Sequence, residues 1–139
     1  MKIFIDTNVL IAAFISHGAC NELLKHCMTN HTVYTSDFVL RELARTLANK
    51  FKYPADEIAQ AQKIILSGAM ITHEASLQRP MSKDKDDDHI IAAAINAEVD
   101  CLLSGDSDLL SLKKIQEIPI LSPRDFWIFE EVFKTKPPF

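Results

Sequence analysis

The chain has 139 residues, of which 47% are hydrophobic, and a formal net charge of −4 from 15 basic and 19 acidic residues. This length and composition predict one globular domain, and the net charge argues against tight non-specific binding of duplex nucleic acid through a broad basic face. No apolar run reaches the roughly 18 residues that span a bilayer, and the N-terminus does not have the pattern of a signal peptide. Three cysteines without C-x-x-C spacing predict reduced thiols, no zinc site built from cysteine, and a cytoplasmic location.

Apolar periodicity and turn residues predict strands alternating with helices. The predicted strands are 2–5, 32–35, 69–72, about 100–103 and 118–121, the last placed at a sheet edge because it contains Pro119. The predicted helices are 8–16, 19–29, from Ser36 or Asp37 to Tyr53-Pro54, about 55–67, a helix from Asp88 and a helix from Pro123. This order predicts a three-layer α/β/α domain over residues 1–133 with a central, mainly parallel five-stranded sheet, and a tail over 134–139.

Two predicted strands run directly towards acidic residues. Asp6 follows the strand 2–5, and Asp106 follows the strand that ends in Leu102-Leu103. Glu42 lies on a predicted helix and Asp88 begins another, at the edge of the sheet where the carboxyl ends of parallel strands form ligand sites. Carboxylates brought together at such an edge raise one another's pKa or bind a cation. An all-oxygen set of this kind suits Mg²⁺ or Mn²⁺, so we predict a site for one of these ions.

Each acid also has a purely structural interpretation. Asp6 could form a turn after its strand, Asp88 could cap a helix, and Glu42 could be a solvated helix residue. Four independent turn formers have no reason to gather at one end of one sheet, which favours the metal site. The chain has no P-loop, no G-x-G-x-x-G or G-x-S-x-G motif, and no H-E-x-x-H spacing among its five histidines.

Several motifs together resemble the PIN-domain nucleases, in particular the toxin ribonucleases of the VapC type. The resemblance covers essentially the whole chain. It rests on Phe4-Ile5-Asp6-Thr7-Asn8-Val9-Leu10, Ser36-x-x-Val39-Leu40-x-Glu42-Leu43, Asp88-His89-x-Ile91-Ala92-Ala93-Ala94, Leu103-Ser104-Gly105-Asp106-Ser107-Asp108-Leu109-Leu110 and Ile120-Leu121-Ser122-Pro123-x-x-Phe126.

The resemblance implies metal-dependent hydrolysis of RNA phosphodiester bonds. Its acidic quartet would be Asp6, Glu42, Asp88 and Asp106, with Asp108 as a possible fifth acid. Thr7, Asn8 and Ser104 would orient the ligands or bound water. The run Asp86-Asp87-Asp88 leaves the register of the third acid open, and Asp88 is favoured because Ile91-Ala92-Ala93 then follows as in the family.

Basic residues near these acids are the candidates for contacts with the RNA phosphates: Arg41, Arg45, Arg79, Lys83 and Lys85. A small DNA-binding antitoxin would be the partner if the chain is a toxin. We also expect a homodimer, because the C-terminal aromatic stripe and the helices between residues 37 and 67 carry many apolar residues. Simple core packing would explain the same stripe.

Other functions remain open. A nuclease that acts alone in RNA processing, or a PIN fold that binds RNA or a partner without cutting, would have the same motifs. A haloacid-dehalogenase-like phosphatase would also have an acid after its first strand, but would want a second Asp where this chain has Asn8. A response-regulator receiver would need paired acids at its first strand.

Overall fold

The computed structural model describes residues 1–135, which form six strands and seven helices. The strands are β1 Lys2–Ile5, β2 Thr32–Thr35, β3 Ala69–Ile71, β4 Cys101–Leu103, β5 Lys114–Ile115 and β6 Ile118–Leu121. The helices are α1 Thr7–Ile15, α2 Ala19–Asn30, α3 Asp37–Asn49, α4 Ala55–Gly68, α5 Lys85–Ala97, α6 Ser107–Leu112 and α7 Pro123–Thr135. The predicted α/β fold with a mainly parallel sheet is confirmed.

The strand order is β3-β2-β1-β4-β6-β5, and every neighbouring pair is parallel except β5 with β6. The chain moves outward from β1 to β2 and β3, and then returns across the sheet to β4 on the other side of β1. Right-handed crossovers in these two directions place helices on both faces of the sheet. The order therefore reverses between β1 and β4, and the carboxyl ends of these two strands border the crevice where ligands bind in open α/β sheets.

The two central strands are the most buried part of the sheet. Ile3, Phe4 and Ile5 of β1 and all three residues of β4 are almost completely inaccessible. Continuous apolar runs of this kind are typical of parallel strands that are covered by helices on both faces. Asp6 therefore follows directly after the buried strand β1, and Asp106 follows three residues after the buried strand β4.

The structure corrects five details of the sequence prediction, of which the first is helix α6, which was not predicted. The sheet has six strands rather than five, because the two-residue strand β5 pairs antiparallel with β6. β6 is consequently not an edge strand: Pro119 lies opposite Lys114, and the link to that side is made by Ile120 N–H, which donates to Lys113 O at 2.8 Å. Helix α5 begins at Lys85 instead of Asp88. Helix α7 extends to Thr135, so residues 134 and 135 of the predicted tail are helical, and residues 136–139 lie outside the described residues.

Two surface regions carry exposed apolar side chains. On α7 these are Trp127, Ile128, Val132 and Phe133, and near the β3 edge they are Ile64, Leu66, Met70 and Ile71. The aromatic residues expected on one stripe of α7 differ in burial: Phe126 is fully buried in the core, whereas Phe133 is exposed. Within residues 1–135, no helix has the length and apolar character to cross a membrane.

Candidate active site

An acidic pocket lies at the carboxyl edge of the sheet, beside the point where the strand order reverses. Six acids line it, namely Asp6, Glu42, Asp84, Asp86, Asp87 and Asp106, together with Thr7 and Asn8. They come from the end of β1, from α3, from the start of α5 and from the turn after β4. The topology therefore gathers side chains that are up to 100 residues apart in the sequence.

Asp6 is held in place by its immediate surroundings. Its Oδ1 accepts a 2.7 Å hydrogen bond from Thr7 N–H at the start of α1, and its Oδ2 accepts one of 2.8 Å from Ser104 Oγ. Ser104 Oγ in turn accepts from Asp106 N–H at 3.0 Å. Asn8 connects the same two segments, because its Oδ1 accepts from Gly105 N–H at 3.0 Å. Ser104 and Asn8 thus link the segments that follow β1 and β4.

Asp87, Asp106 and Asp108 form the tightest acidic group. One carboxylate oxygen from each lies within 4.8 Å of the others. Asp106 caps α6, where it accepts from Asp108 N–H at 3.3 Å, and its charge contributes to the raised pKa of Asp87. Asp87 also accepts a 2.9 Å hydrogen bond from Ser82 Oγ. Among residues 1–135, no Lys, Arg or His forms an ion pair with Asp6, Asp87, Asp106 or Asp108.

Of the two adjacent acids Asp87 and Asp88, the one that lines the pocket is Asp87, whereas the sequence pattern favoured Asp88 as the third acid of the quartet. Asp88 does not line the pocket. Its Oδ1 instead accepts hydrogen bonds of 3.0 Å from both Met81 N–H and Ser82 N–H, which tie the segment before α5 to the helix. Neighbouring residues of a helix point about 100° apart, so only one of the two can face the pocket.

Burial is the main reason that two of these acids resist ionisation. Asp6 is 6% exposed and Asp87 is 7% exposed. Burial raises the pKa of Asp6 to about 6, against the lowering effect of its hydrogen bonds from Ser104 and Thr7, and the charges of Asp106 and Glu42 raise it further. Burial likewise raises the pKa of Asp87 to about 6, with a further contribution from Asp106. Ionising both acids in one pocket costs free energy that a bound cation would recover.

The residues present fit a hard divalent cation. The donor atoms are carboxylate oxygens, which Mg²⁺ and Mn²⁺ prefer. Thr7 Oγ1 is buried at this pocket without a hydrogen-bond partner among the described residues, and a buried hydroxyl in this state is usually satisfied by bound water or a ligand. Asp87, Asp106 and Asp108 have carboxylate oxygens close enough together to hold one ion, and Asp6 lines the same pocket.

Glu42 lines the pocket but has a cationic neighbour. Its carboxylate accepts from Arg45 Nη2 at 2.5 Å, one helical turn away on α3. Arg45 is therefore paired with an acid of the pocket. The other four basic candidates, Arg41, Arg79, Lys83 and Lys85, are exposed. Arg41 lines a neighbouring depression with Phe38 and Glu74, and Lys83 lines another with Asp108.

Two acids of the pocket were not predicted from the sequence. Asp84 caps α5 by accepting from Asp86 N–H at 2.9 Å, and both acids line the pocket. A signal for them existed, because Asp84-x-Asp86-Asp87-Asp88 offers several N-caps in succession. Because α5 was predicted to begin at Asp88, Asp84 and Asp86 were assigned to the loop before it.

Comparison with known proteins agrees with this geometry. The family model described as PIN domain matches residues 2–108. The chain belongs to the PIN-domain family. This membership disfavours the phosphatase and receiver interpretations. No curated protein matches the chain significantly.

Two solved structures have a similar fold. The chain is similar to VapBC2 from Rickettsia felis, whose crystal structure was obtained with a DNA fragment from its promoter, with 19% identity, a TM-score of 0.65, and coverage of 88% of this chain and 98% of that one. It is also similar to VapC20 from Mycobacterium tuberculosis, described as a toxin that cleaves the sarcin–ricin loop, with 19% identity, a TM-score of 0.59, and coverage of 84% and 98%. At this identity the likeness establishes a shared fold.

Raised pKa values at Asp6 and Asp87 predict that the metal-free protein loses stability as the pH rises. The unfolded chain releases these protons near pH 4, but the folded chain holds them to about pH 6, so folding is disfavoured increasingly across that interval. With chelator present, the melting temperature at about pH 7 should be several degrees below that at about pH 5, since this comparison covers the upper half of the interval. The lowered pKa of Glu130 acts only below about pH 4.5 and does not interfere.

The control for this prediction is the double variant Asp6→Asn with Asp87→Asn, which should flatten the pH dependence. Addition of Mg²⁺ should raise the melting temperature of the wild-type protein more at the higher pH than at the lower one. An unchanged pH dependence in the double variant would contradict the assignment of the raised pKa values to these two acids.

Proposed function

We propose that this protein is a Mg²⁺- or Mn²⁺-dependent ribonuclease that hydrolyses RNA phosphodiester bonds, and that it is the toxin of a toxin–antitoxin pair. The observation that carries the proposal is the convergence of Asp6, Glu42, Asp87 and Asp106 from four separate elements of a PIN-domain chain. Three of these acids have no ion-pair partner among residues 1–135, which supports a bound cation as the missing compensation.

The pocket residues divide into two proposed roles. Asp6, Asp87 and Asp106 would hold the ion, with Asp108 at its border. A bound divalent ion lowers the pKa of a water and neutralises charge on the phosphoryl oxygens. Glu42, which lines the same pocket and is paired with Arg45, would orient the attacking water and accept its proton. Ser104 and Asn8 keep Asp6 and the Asp106 turn in register.

The RNA would approach through the exposed basic residues that border the pocket. Arg41 lies on α3 in a separate depression, and Lys83 lies with Asp108 in another. Arg79 precedes α5 and Lys85 begins it, and both are exposed. These side chains would bind phosphates on both sides of the scissile bond, the lysines as point charges and the arginines through paired hydrogen bonds. Arg45 is the weakest of the five candidates because Glu42 already occupies it.

The toxin assignment rests on the resemblance to the VapC type and on the similarity in fold to VapC20 and VapBC2. By analogy with VapBC2, we propose an antitoxin as the protein partner. The three cysteines are free, which supports the expected cytoplasmic location. The competing candidate is a PIN nuclease without an antitoxin, and a gene for a small DNA-binding protein beside this one would separate the two.

The test is cleavage of defined RNAs by the purified chain. Transfer RNAs, an mRNA leader and an RNA hairpin with the sarcin–ricin loop sequence should be incubated with Mg²⁺, with Mn²⁺ and with EDTA. We expect discrete fragments with either ion and none with EDTA. The Asp106→Asn protein, purified in parallel, controls for contaminating nucleases. Absence of cleavage with both ions on all substrates, or equal cleavage by the variant, would count against the enzyme and leave a binding role.

Self-association through α7 is a further expected property. Ile128 and Val132 are about two-thirds exposed and sit one turn apart on that helix, beside Trp127 and Phe133. An exposed apolar patch on a small domain commonly marks a protein interface. Light scattering should give the mass of a homodimer for the wild-type protein and of a monomer after Ile128→Ser with Val132→Ser. The matched control is Ile15→Ser, at an exposed apolar residue outside both apolar regions. A monomeric wild-type protein at high concentration would contradict the expectation.

A further inference from the structure

A second group of metal-binding side chains lies outside the acidic pocket. It consists of His26 on α2, His31 immediately after α2, and Glu130 on α7. The Nε2 atoms of the two imidazoles lie 2.6 Å and 2.5 Å from the same oxygen of Glu130, Oε2. Glu130 is buried, with only 3% of its side chain exposed, whereas His26 reaches the surface with 27% of its side chain exposed.

This His–His–Glu group is at the other end of the sheet from the acidic pocket. His31 directly precedes β2, and the amino group of Met1, directly before β1, lies 3.1 Å from His31 Nδ1. The group is therefore at the amino ends of the strands, while Asp6 and Asp106 follow their carboxyl ends. The proposed nuclease reaction uses none of these three residues.

We propose that His26, His31 and Glu130 form a site for a zinc-class divalent cation. Two imidazoles and one carboxylate are a donor set for Zn²⁺ with the fourth position left to water, and imidazole nitrogen distinguishes this site from the all-oxygen pocket that suits Mg²⁺. The three donor atoms all lie within 4.8 Å of one another. The partly exposed edge of His26 gives the ion an entrance.

The site needs a small adjustment to accept an ion. Ligand atoms around a tetrahedral zinc are separated by roughly 3.3 Å, given Zn–N and Zn–O bonds of about 2 Å. The present separations of 2.5 Å and 2.6 Å are those of hydrogen bonds, so the Glu130 carboxylate would move back by roughly 1 Å or less as the ion replaces the two shared protons. Each imidazole must then carry its proton on Nδ1. At His31 that proton would face the amino group of Met1, 3.1 Å away, so this amino group has to move away from Nδ1 when the ion binds. For His26, the side-chain amide of Asn30 lies 3.2 Å from Nδ1 and can turn its oxygen to accept that proton.

Binding at this site would fasten α7 to α2. Glu130 is the main polar link from α7 to the α2 region, while Phe126 packs beside both histidine rings. An ion that binds the folded arrangement and not the unfolded chain raises the melting temperature by mass action. Because α7 also carries the exposed residues Ile128 and Val132, the ion would rigidify the helix proposed to mediate self-association.

The single tryptophan of the chain reports on the site directly. The Trp127 ring lies 4.7 Å from the His26 ring, so a bound ion will alter its fluorescence and the paramagnetic Co²⁺ will quench it. The experiment uses the full chain, stripped of metal and titrated with Co²⁺, Zn²⁺ and Mg²⁺. We expect quenching by Co²⁺, displacement of Co²⁺ by Zn²⁺ with recovery of emission, and no response to millimolar Mg²⁺. Zn²⁺ should also raise the melting temperature.

Two ligand variants and one control decide the assignment. His26→Gln and His31→Gln should each weaken Zn²⁺ binding at least about tenfold and remove most of the thermal shift, because loss of even a supporting residue costs this much. Glu130 is left unchanged because it is buried. His89→Gln, at an exposed histidine paired with Glu74, should bind Zn²⁺ as the wild type does. If Zn²⁺ changes neither emission nor melting of the wild type, or if either ligand variant keeps wild-type affinity, the group is only a hydrogen-bonded ion pair and the proposal is overturned.

Discussion

Replacing Asp6 or Asp106 by Asn should lower metal-dependent RNA cleavage by at least about a hundredfold while the metal-free protein melts at the same temperature or higher. Each replacement removes one anionic oxygen ligand from the proposed ion. It preserves the size of the side chain, and after Asp106→Asn the amide oxygen would still accept from Asp108 N–H. Loss of activity would therefore reflect lost charge rather than a lost helix cap.

The stability part of this prediction follows from the buried charge. At neutral pH Asp6 ionises in a site that raises its pKa to about 6 from an ordinary 3.8, which corresponds to a cost of roughly 3 kcal/mol as an upper bound. An uncharged Asn avoids this cost. It loses part of the hydrogen bond from Ser104, which has to reorient its hydroxyl, and this loss is worth about 1 kcal/mol. The balance favours the variant in the absence of metal.

The measurement pairs cleavage assays with thermal melting in EDTA and in Mg²⁺. Glu117→Gln, at an exposed acid remote from the pocket lining, should change neither quantity. Mg²⁺ should raise the melting temperature of the wild type and leave that of Asp6→Asn nearly unchanged. A variant that melts at a clearly lower temperature and still cleaves RNA would show that Asp6 is a structural cap, and the nuclease proposal would fail.

Elements with strong hydrophobic patterns were predictable from sequence. The continuous apolar runs of β1 and β4 predict buried strands, and the apolar spacing of α3 predicts a helix. The alternation of strands and helices along the chain predicts a parallel sheet. β5 has only two residues and hence no periodicity to detect. It pairs with β6 through Ile115 and Ile118 across the two-residue turn Gln116-Glu117, which lacks the Gly and Asn residues that mark such hairpins in a sequence.

The candidate site was predictable where an acid follows a strand and less so where it lies in an acidic run. Asp6 and Asp106 are marked by the strands before them, whereas the start of α5 contains Asp84, Asp86, Asp87 and Asp88, each able to cap a helix. Choosing among them by spacing alone selected Asp88, while the packing of Ile90 and Ile91 into the core turns Asp87 towards the pocket. The His–His–Glu group has no sequence signal, because Glu130 lies 104 and 99 residues away from the two histidines.

Asp87→Asn should reduce RNA cleavage as severely as Asp6→Asn, while Asp88→Asn should leave most of the activity. Asp87 faces Asp106 in the pocket and has no basic partner among residues 1–135, so its charge is available to a cation. Asp88 uses a single oxygen, Oδ1, to accept from Met81 N–H and Ser82 N–H, and Asn offers the same acceptor. Comparing Asp87→Asn with Asp88→Asn therefore distinguishes an acid that supplies charge to a bound ion from an acid that holds the segment before α5.

Asp88→Ala adds the stability arm of this comparison. Removing the acceptor leaves two backbone N–H groups without their partner, which should destabilise the protein by about 1–3 kcal/mol. It should also lower activity moderately, because Ser82, released from Asp88, no longer supports Asp87 through its 2.9 Å hydrogen bond. The three variants should therefore differ in what they lose. Asp87→Asn should lower the cleavage rate, Asp88→Ala should chiefly lower the melting temperature, and Asp88→Asn should change neither by much. If Asp88→Asn were inactive and Asp87→Asn active, the register of α5 and the composition of the metal pocket would both have to be reassigned.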